Sequence, residues 1–192
     1  MIDAQNPILT PIEPTKFRDV LGHFCSGITV IAALREEMPV GLTCQSFFSL
    51  SLGPPLVAFS VSKTSTSYPA IRAAGDLVIN VLSSEQMAVS DGFARTGTNK
   101  WQGVSWRPGP VTKYPILDGA LAALECSIDK EVDAGDHILV IARVHHLEAD
   151  TQSMPLLYFR GDYRRLHNVD NLHNDCIPVT SQPETDITLQ ID

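Results

Sequence analysis

Pro39-Val-Gly-Leu-Thr-Cys-Gln-Ser-Phe-Phe-Ser-Leu-Ser-Leu-Gly-Pro-Pro-Leu-Val-Ala-Phe-Ser-Val-Ser-Lys-Thr-Ser-Thr-Ser67 is the stretch that decides the fold. It reads as two strands, residues 39–46 and 56–61, joined by a Ser/Thr-rich loop and followed by a second such loop. Both strands are apolar on both faces, which predicts a closed barrel or a covered sheet. The second loop places five hydroxyls and Lys63 between Ser62 and Ser67. Backbone N–H groups and hydroxyls of this kind can cradle a phosphate, with Lys63 adding charge, while apolar walls hold something flat. Ser/Thr-rich loops are also ordinary turns, and the pattern alone leaves both readings open.

Upstream, residues 1–14 contain Pro7, Pro11 and Pro14 and read as an extended N-terminal arm. Thr15 suits a helix N-cap. Phe17, Val20, Leu21 and Phe24 follow with helical spacing, a stripe that calls for a core, and Gly27 is the expected stop. A β-branched strand at 28–34 and a turn at 35–37 lead into the decisive stretch. Downstream, Ser67 is the expected cap of a short helix over 68–74 ended by Gly75, before a strand at 77–82. Ser83-Ser-Glu-Gln86 has the form of a capping box opening a helix to about residue 94. Residues 95–118, rich in Gly, Thr, Pro and aromatics, form a long excursion of the kind that serves function or packs on a partner.

Strict alternation follows. Ala120, Ala122, Leu124, Cys126 and Ile128 share one face of a strand, with Glu125, Ser127 and Asp129 on the other. A turn at 133–136, an apolar strand at 138–144 and a last strand at 155–163 complete the pattern. His145 and His146, adjacent in a strand, point to opposite faces and do not chelate one metal. About seven strands with two or three helices and short crossovers favour a mainly β antiparallel barrel with flanking helices. The domain is expected over 15–166, with an acidic C-terminal tail over 167–192.

The chain has 192 residues and a net charge of −8, concentrated at its ends. Residues 166–192 carry five acids and no Lys or Arg, whereas 15–165 carry 14 bases against 15 acids. A general nucleic-acid partner needs a basic face that this balance lacks. Cys25, Cys44, Cys126 and Cys176 are scattered, without zinc spacing, and three of the four sit in surroundings that suit buried, reduced thiols. No signal peptide or membrane span is read from the sequence, so a cytoplasmic setting is expected.

The glycine-rich dinucleotide fingerprint, the P-loop, the zincin helix and the hydrolase elbow are all absent, so any nucleotide site is built another way. Two further motifs carry chemistry: Gly135-Asp-His137 at the mouth of an apolar strand, and Tyr158-Phe-Arg-Gly-Asp-Tyr163 at a strand end. Each alone also fits an ordinary surface turn or core aromatics.

In order and spacing, the sequence resembles the flavin reductase family, the small reductase components of two-component flavin-dependent monooxygenases. The resemblance runs from about Phe17 to Leu166. It rests on Phe24-Cys-Ser-Gly-Ile-Thr-Val, Pro-Val-Gly-Leu-Thr-Cys-Gln-Ser-Phe, Ser49-Leu-Ser-Leu-Gly-Pro-Pro-Leu-Val, Asn80-Val-Leu and the two motifs above. Within the family the likeness is to actinobacterial reductases serving aromatic or steroid-ring hydroxylases.

The resemblance implies a split β-barrel with FMN or FAD at a homodimer interface, NADH or NADPH as hydride donor, and a monooxygenase partner reached through diffusing reduced flavin. By position, Pro39, Val40, Gly41, Leu42, Thr43, Gln45 and Ser46 correspond to the lining of the flavin ring and ribityl chain. Ser60, Val61, Ser62, Lys63, Thr66 and Ser67 correspond to the segment around its phosphate. Phe93 and Ala94 match a helix end touching the flavin's far part. His137, the one catalytic candidate, resembles the residue lying against the nicotinamide, and Tyr158, Phe159, Arg160 and Gly161 match a segment near the same dinucleotide. No metal is implied. The chemistry belongs to the cofactors, so the protein supplies stacking, orientation and electrostatics, and an obvious acid–base pair is not required. Two alternatives stay open: a flavin-binding module without turnover, and an oxidase of the pyridoxamine-phosphate type, which calls for more cations at the phosphate than Lys63.

Overall fold

Side chains alternate across each central strand, and here both faces are covered. The computed structural model describes residues 11–150 and 152–166. In chain order the elements are α1 (Pro14–Leu21), β1 (Ser26–Gly27), β2 (Thr29–Arg35), β3 (Met38–Cys44), β4 (Phe48–Leu52), β5 (Pro55–Ser62), α2 (Tyr68–Ala74) and β6 (Asp76–Val81). There follow α3 (Met87–Ala94), β7 (Trp106–Pro108), β8 (Pro115–Leu117), β9 (Ala122–Ala134), β10 (His137–Ala149), β11 (Leu157–Phe159) and β12 (Asp162–Arg164).

Seven strands form one antiparallel sheet in the order β3-β2-β6-β9-β10-β5-β4. Strand β2 shows how it is buried. Ile31 and Ala33 enter one core with Phe59, Ile71, Leu77, Ile79 and Val140. Val30, next to Ile31 and on the opposite face, enters a second core with Ile28, Leu82, Phe93, Leu117 and Leu156. Helix α2 fills the first core with Tyr68 and Ile71, whereas α3 and the 95–118 excursion cover the second face with Phe93, Trp101 and Trp106. The sheet curls until the end of β3 reaches β5. There the Ser46 hydroxyl donates to the Ser60 carbonyl at 3.0 Å and accepts from the Ser60 N–H at 2.8 Å.

Several expectations are corrected. Among the described residues there are twelve strands, the surplus over seven being short. The loop after β3 contains β4, which forms a hairpin with β5. Helix α1 begins at Pro14 with Glu13 as N-cap, because proline suits the first helical turn, and ends at Gly22 rather than Gly27. Its stripe finds no core: Phe17, Val20, Leu21 and the following Phe24 are all exposed. Ser67 is the N-cap residue of α2 but makes no capping bond; Ser65 Oγ accepts from the Tyr68 N–H at 3.2 Å instead. In the Ser83–Gln86 box, the Gln86 side chain accepts from the Ser83 N–H at 3.0 Å, yet the helix starts at Met87.

The single strand expected at 155–163 is a hairpin. Arg160 (φ 53°) and Gly161 (φ 79°) both take left-handed backbone and turn the chain between β11 and β12. Glu125, read onto the polar face of its strand, is fully buried under the 109–114 loop. Cys44 and Cys126 are buried, Cys25 is exposed, and all three are free thiols. Cys176, the tail over 167–192 and residues 1–10 of the arm lie outside the described residues.

Candidate functional site

The curl of the sheet opens a hollow of about 520 Å3 between the end of β3, the end of β5, the 62–67 loop and the end of α3. Strand β3 contributes Leu42, Thr43 and Cys44, followed by Gln45 and Ser46. Strand β5 contributes Ser60, Val61 and Ser62, and Phe93 and Ala94 close the α3 side. Leu42, Val61 and Phe93 give the wall its apolar character, and all three are buried.

The hydroxyls are not equivalent. Ser46 is committed to Ser60, and Thr43 Oγ1 donates to the Ser90 carbonyl at 2.7 Å, tying β3 to α3. Ser62 Oγ lies 2.8 Å from Thr64 Oγ1 and accepts from the Thr64 N–H, which makes a tight turn of the loop. Thr66 and Thr96, both at the hollow, make no side-chain hydrogen bond among the described residues, so their hydroxyls are available to a ligand.

The cation at the hollow is Lys100, not Lys63. Lys63 Nζ is paired with Asp133 Oδ2 at 2.7 Å and does not line the hollow. Lys100 enters from the 95–118 excursion and donates to the carbonyls of Phe93 (2.9 Å) and Gly41 (3.3 Å) and to Ser67 Oγ (3.0 Å). No carboxylate pairs with it among the described residues, and burial pushes its ammonium below the usual lysine value. A signal existed in the sequence: a lysine beside Trp101, inside a loop too long to be a mere connection. Thr64 and Ser65, two of the five hydroxyls of the 62–67 loop, line the hollow as well, together with Cys44 and Thr96, which were not assigned to it. Burial raises the Cys44 thiol, so it is no nucleophile.

His137 stands at the mouth. It pairs with Ser62 across the β10–β5 ladder, and its Nδ1 lies 2.7 Å from Asp136 Oδ1. That hydrogen bond, with the charge of the imidazole, holds the Asp136 carboxyl below the usual range. The turn is locked to the hydroxyl loop, because the Lys63 N–H donates to the Asp136 carbonyl at 3.0 Å. Among the described residues no group of three or more His, Cys, Asp or Glu could hold a metal ion.

The hollow therefore gathers Leu42, Thr43, Gln45, Ser46, Ser60, Val61, Ser62, Thr66, Ser67, Phe93, Ala94 and His137 from the residues expected in a site. Pro39, Val40, Gly41 and Lys63 do not line it. Gly41 instead lies behind Phe93, where a Cβ would meet the ring at 2.7 Å. Tyr158 and Gly161 line a second hollow of about 490 Å3 with Phe17, Leu21 and Phe24; Gln45 belongs to both hollows. Arg160 lines a third, and Phe159 lines none of these three. The arrangement suits a flat group on an apolar wall, a polar chain along hydroxyls and an anion near Lys100. None of the groups lining it is set up as a nucleophile with its base.

Comparison with known proteins agrees with this chemistry. The model of the flavin reductase like domain matches residues 21–167. The reductase subunit HsaB of a flavin-dependent monooxygenase from Mycobacterium tuberculosis is 44% identical over 154 residues, covering 79% of this chain and 82% of that protein. The crystal structure of nitrilotriacetate monooxygenase component B from Mycobacterium thermoresistibile superposes with a TM-score of 0.78 at 38% identity, covering 90% of this chain and 93% of the other. An NADH:FAD oxidoreductase from Streptomyces globisporus, solved with NAD and FAD fragments, gives 0.77 at 30% identity, with 82% and 97% covered.

Proposed function

The chain belongs to the flavin reductase like family and has its split-barrel fold, and from that premise we propose how its residues divide the work of an NAD(P)H-dependent flavin reductase. The enzyme reduces FMN or FAD with NADH and supplies reduced flavin to a monooxygenase partner. The observation that carries the assignment of roles is the hollow itself, with one apolar wall, the Thr66 and Thr96 hydroxyls without a side-chain hydrogen bond and a lysine without a carboxylate partner among the described residues, and a histidine at its mouth. A hydride and its electron pair pass from the dihydronicotinamide to the flavin, which is chemistry the two cofactors supply when bound.

Leu42, Val61 and Phe93 hold the flavin ring and keep water from it. Thr66, Ser67 and Lys100 hold its phosphate end, in the place first expected for Lys63. The Ser60 and Ser62 region lies along the polar chain between them. His137, fixed by Asp136, presents its ring to the nicotinamide and orients it. Gln45 joins the flavin hollow to that lined by Tyr158 and Gly161, where the rest of the donor lies.

The exposed Phe17, Val20, Leu21 and Phe24 support a homodimer in which a second copy roofs this groove, since large apolar side chains gathered at one surface call for a partner. A cytoplasmic setting, where reduced nicotinamides are at hand, completes the reading. The oxidase alternative of the pyridoxamine-phosphate type is less well supported, because the hollow is lined by one lysine and no arginine among the described residues.

The test is NADH oxidation with FMN, FAD and riboflavin in turn, repeated with NADPH. Turnover dependent on added or bound flavin is expected. Tight flavin binding with no oxidation of either donor would favour a storage module and sink the enzyme reading.

A further inference from the structure

What shapes the 62–67 loop lies outside it, on β9. The ladders set Glu131 in a row with Val140 and Phe59, and Asp133 in a row with Ile138 and Val61. Phe59, Val61 and Val140 are buried in the first core, so both acids stand on the core-facing side of β9, at the rim of the sheet. Each reaches one end of the loop. Asp133 Oδ2 accepts from Lys63 Nζ at 2.7 Å. Glu131 accepts from the Tyr68 hydroxyl through Oε1 and pairs with Arg72 through Oε2. Tyr68 is itself buried in the first core. Burial, and then the hydrogen bond to Glu131, push its hydroxyl above the usual tyrosine range, so it stays a neutral donor.

Between these anchors the chain has to bow. The two acids stand about 7 Å apart along β9. The chain from Lys63 to Tyr68 would span about 17 Å if extended. Turns take up the difference: the Ser65 N–H donates to the Ser62 carbonyl at 3.0 Å, and the Tyr68 N–H donates to Ser65 Oγ at 3.2 Å. A further tie, from the Lys63 N–H to the Asp136 carbonyl, joins the loop to the turn that carries His137. The outcome is selective. Lys63 and Tyr68 do not line the flavin hollow, whereas Ser62, Thr64, Ser65, Thr66 and Ser67 all do.

We propose that Glu131 and Asp133 are positioning residues for the flavin phosphate, a two-point brace that acts through Tyr68 and Lys63 to hold the hydroxyl loop in its binding shape. The inference rests on the flavin reductase reading and deepens it. Binding a phosphate with hydroxyls and N–H groups requires several donors aimed at one place, and a loop already fixed loses less freedom when the ligand arrives. Lys63 then serves the phosphate by position, its charge being taken up by Asp133. The brace also makes a prediction opposite to that of charge alone. A carboxylate near a phosphate repels it, so if charge were all that Asp133 contributed, its removal would tighten binding. If Asp133 is a brace, its removal weakens binding.

The experiment measures Kd for FMN and for riboflavin, which lacks the phosphate, by flavin fluorescence on the full-length protein. Asp133 is exposed, so Asp133→Ala leaves the core untouched, and Tyr68→Phe keeps the buried ring and removes only the donor. Each should raise the ratio of the FMN Kd to the riboflavin Kd about fivefold, the scale of one ion pair or hydrogen bond. Asp133→Asn, which still accepts from Lys63, should recover part of that loss. Tighter FMN binding by Asp133→Ala would mean that the freed Lys63 serves the phosphate directly, and would overturn the brace. An unchanged ratio in both variants, whether from no loss or from equal losses of the two flavins, overturns it as well and leaves the reductase reading intact. Failure of the wild type to bind FMN, FAD or riboflavin would overturn the reductase reading itself.

Discussion

Gly41 and Phe93 are packed so closely that a Cβ on Gly41 would stand 2.7 Å from Cε1 and 2.9 Å from Cδ1 of the ring. Phe93 is itself buried, braced edge-on by Trp101 at a centroid distance of 4.8 Å. It cannot retreat without disturbing the second core. Gly41→Ala should therefore push Phe93 toward the flavin hollow, at a cost of about 1–3 kcal/mol in stability. Flavin affinity should fall with it. Adding Phe93→Leu should recover much of the stability loss, a coupling that urea denaturation of the two single variants and the double variant would measure. Strict additivity would mean that the contact is not the cause.

Lys100 spans β3, α3 and the hydroxyl loop through its three donors. If its charge serves the flavin phosphate, Lys100→Met should weaken FMN binding about tenfold, the scale of one charge-assisted hydrogen bond. Riboflavin, which lacks the phosphate, should lose much less. Flavin fluorescence quenching reads both. Equal losses for FMN and riboflavin would reduce Lys100 to a structural tie.

These two residues show where the sequence was legible and where it was not. The apolar runs of β2, β3, β5 and β6 announced covered strands, because their burial depends on local side-chain pattern. The Ser60–Ser67 segment announced a polar loop for the same reason. Lys63 and Lys100 could not be sorted that way. Which lysine reaches the hollow depends on Asp133, 70 residues from Lys63, and on how the 95–118 excursion folds back. Glu125 was misplaced because alternation identifies the opposite face of a strand but not what will cover it. The stripe on α1 had the right spacing for a core and found none within the described chain, since periodicity does not say whether the apolar neighbour belongs to the same molecule. The turn at Arg160 reads as strand in the sequence because an arginine gives no local sign of left-handed backbone.

Glu125 offers a test of the excursion. Its carboxylate is fully buried and accepts from the Val111 N–H, the Thr112 N–H and, at 2.6 Å, the Thr112 hydroxyl. Gly109 passes so close that a Cβ there would meet Oε2 at 2.5 Å. Burial alone would raise the carboxyl; the hydrogen bonds from Thr112 and Val111 outweigh it and hold it below the usual carboxylate range. A group held low in the folded state stabilises it above its unfolded pKa, and that stabilisation disappears as pH falls through the folded pKa. Glu125→Gln should therefore cost about 2 kcal/mol at pH 7, with a gap to the wild type that narrows toward pH 3. Urea denaturation at the two pH values measures it, and a gap independent of pH would contradict the charged cradle.

His137 is the last residue whose role can be separated by experiment. Its Nδ1 is held by Asp136, whose depressed carboxyl stays ionised through the neutral range, so the ring has a fixed orientation beside Ser62 at the mouth of the hollow. Hydride transfer needs the nicotinamide to be aligned and does not need a proton from the protein in the same step. His137→Ala should then raise KM for NADH about tenfold, the effect of a lost positioning contact, while the pH–rate profile keeps its shape. Asp136→Asn retains an acceptor for Nδ1 and should show a smaller rise. Steady-state kinetics from pH 6 to pH 9 with saturating flavin would decide the matter. A profile that loses a limb on removal of the imidazole would assign His137 to proton transfer, and unchanged KM and turnover would remove it from the site.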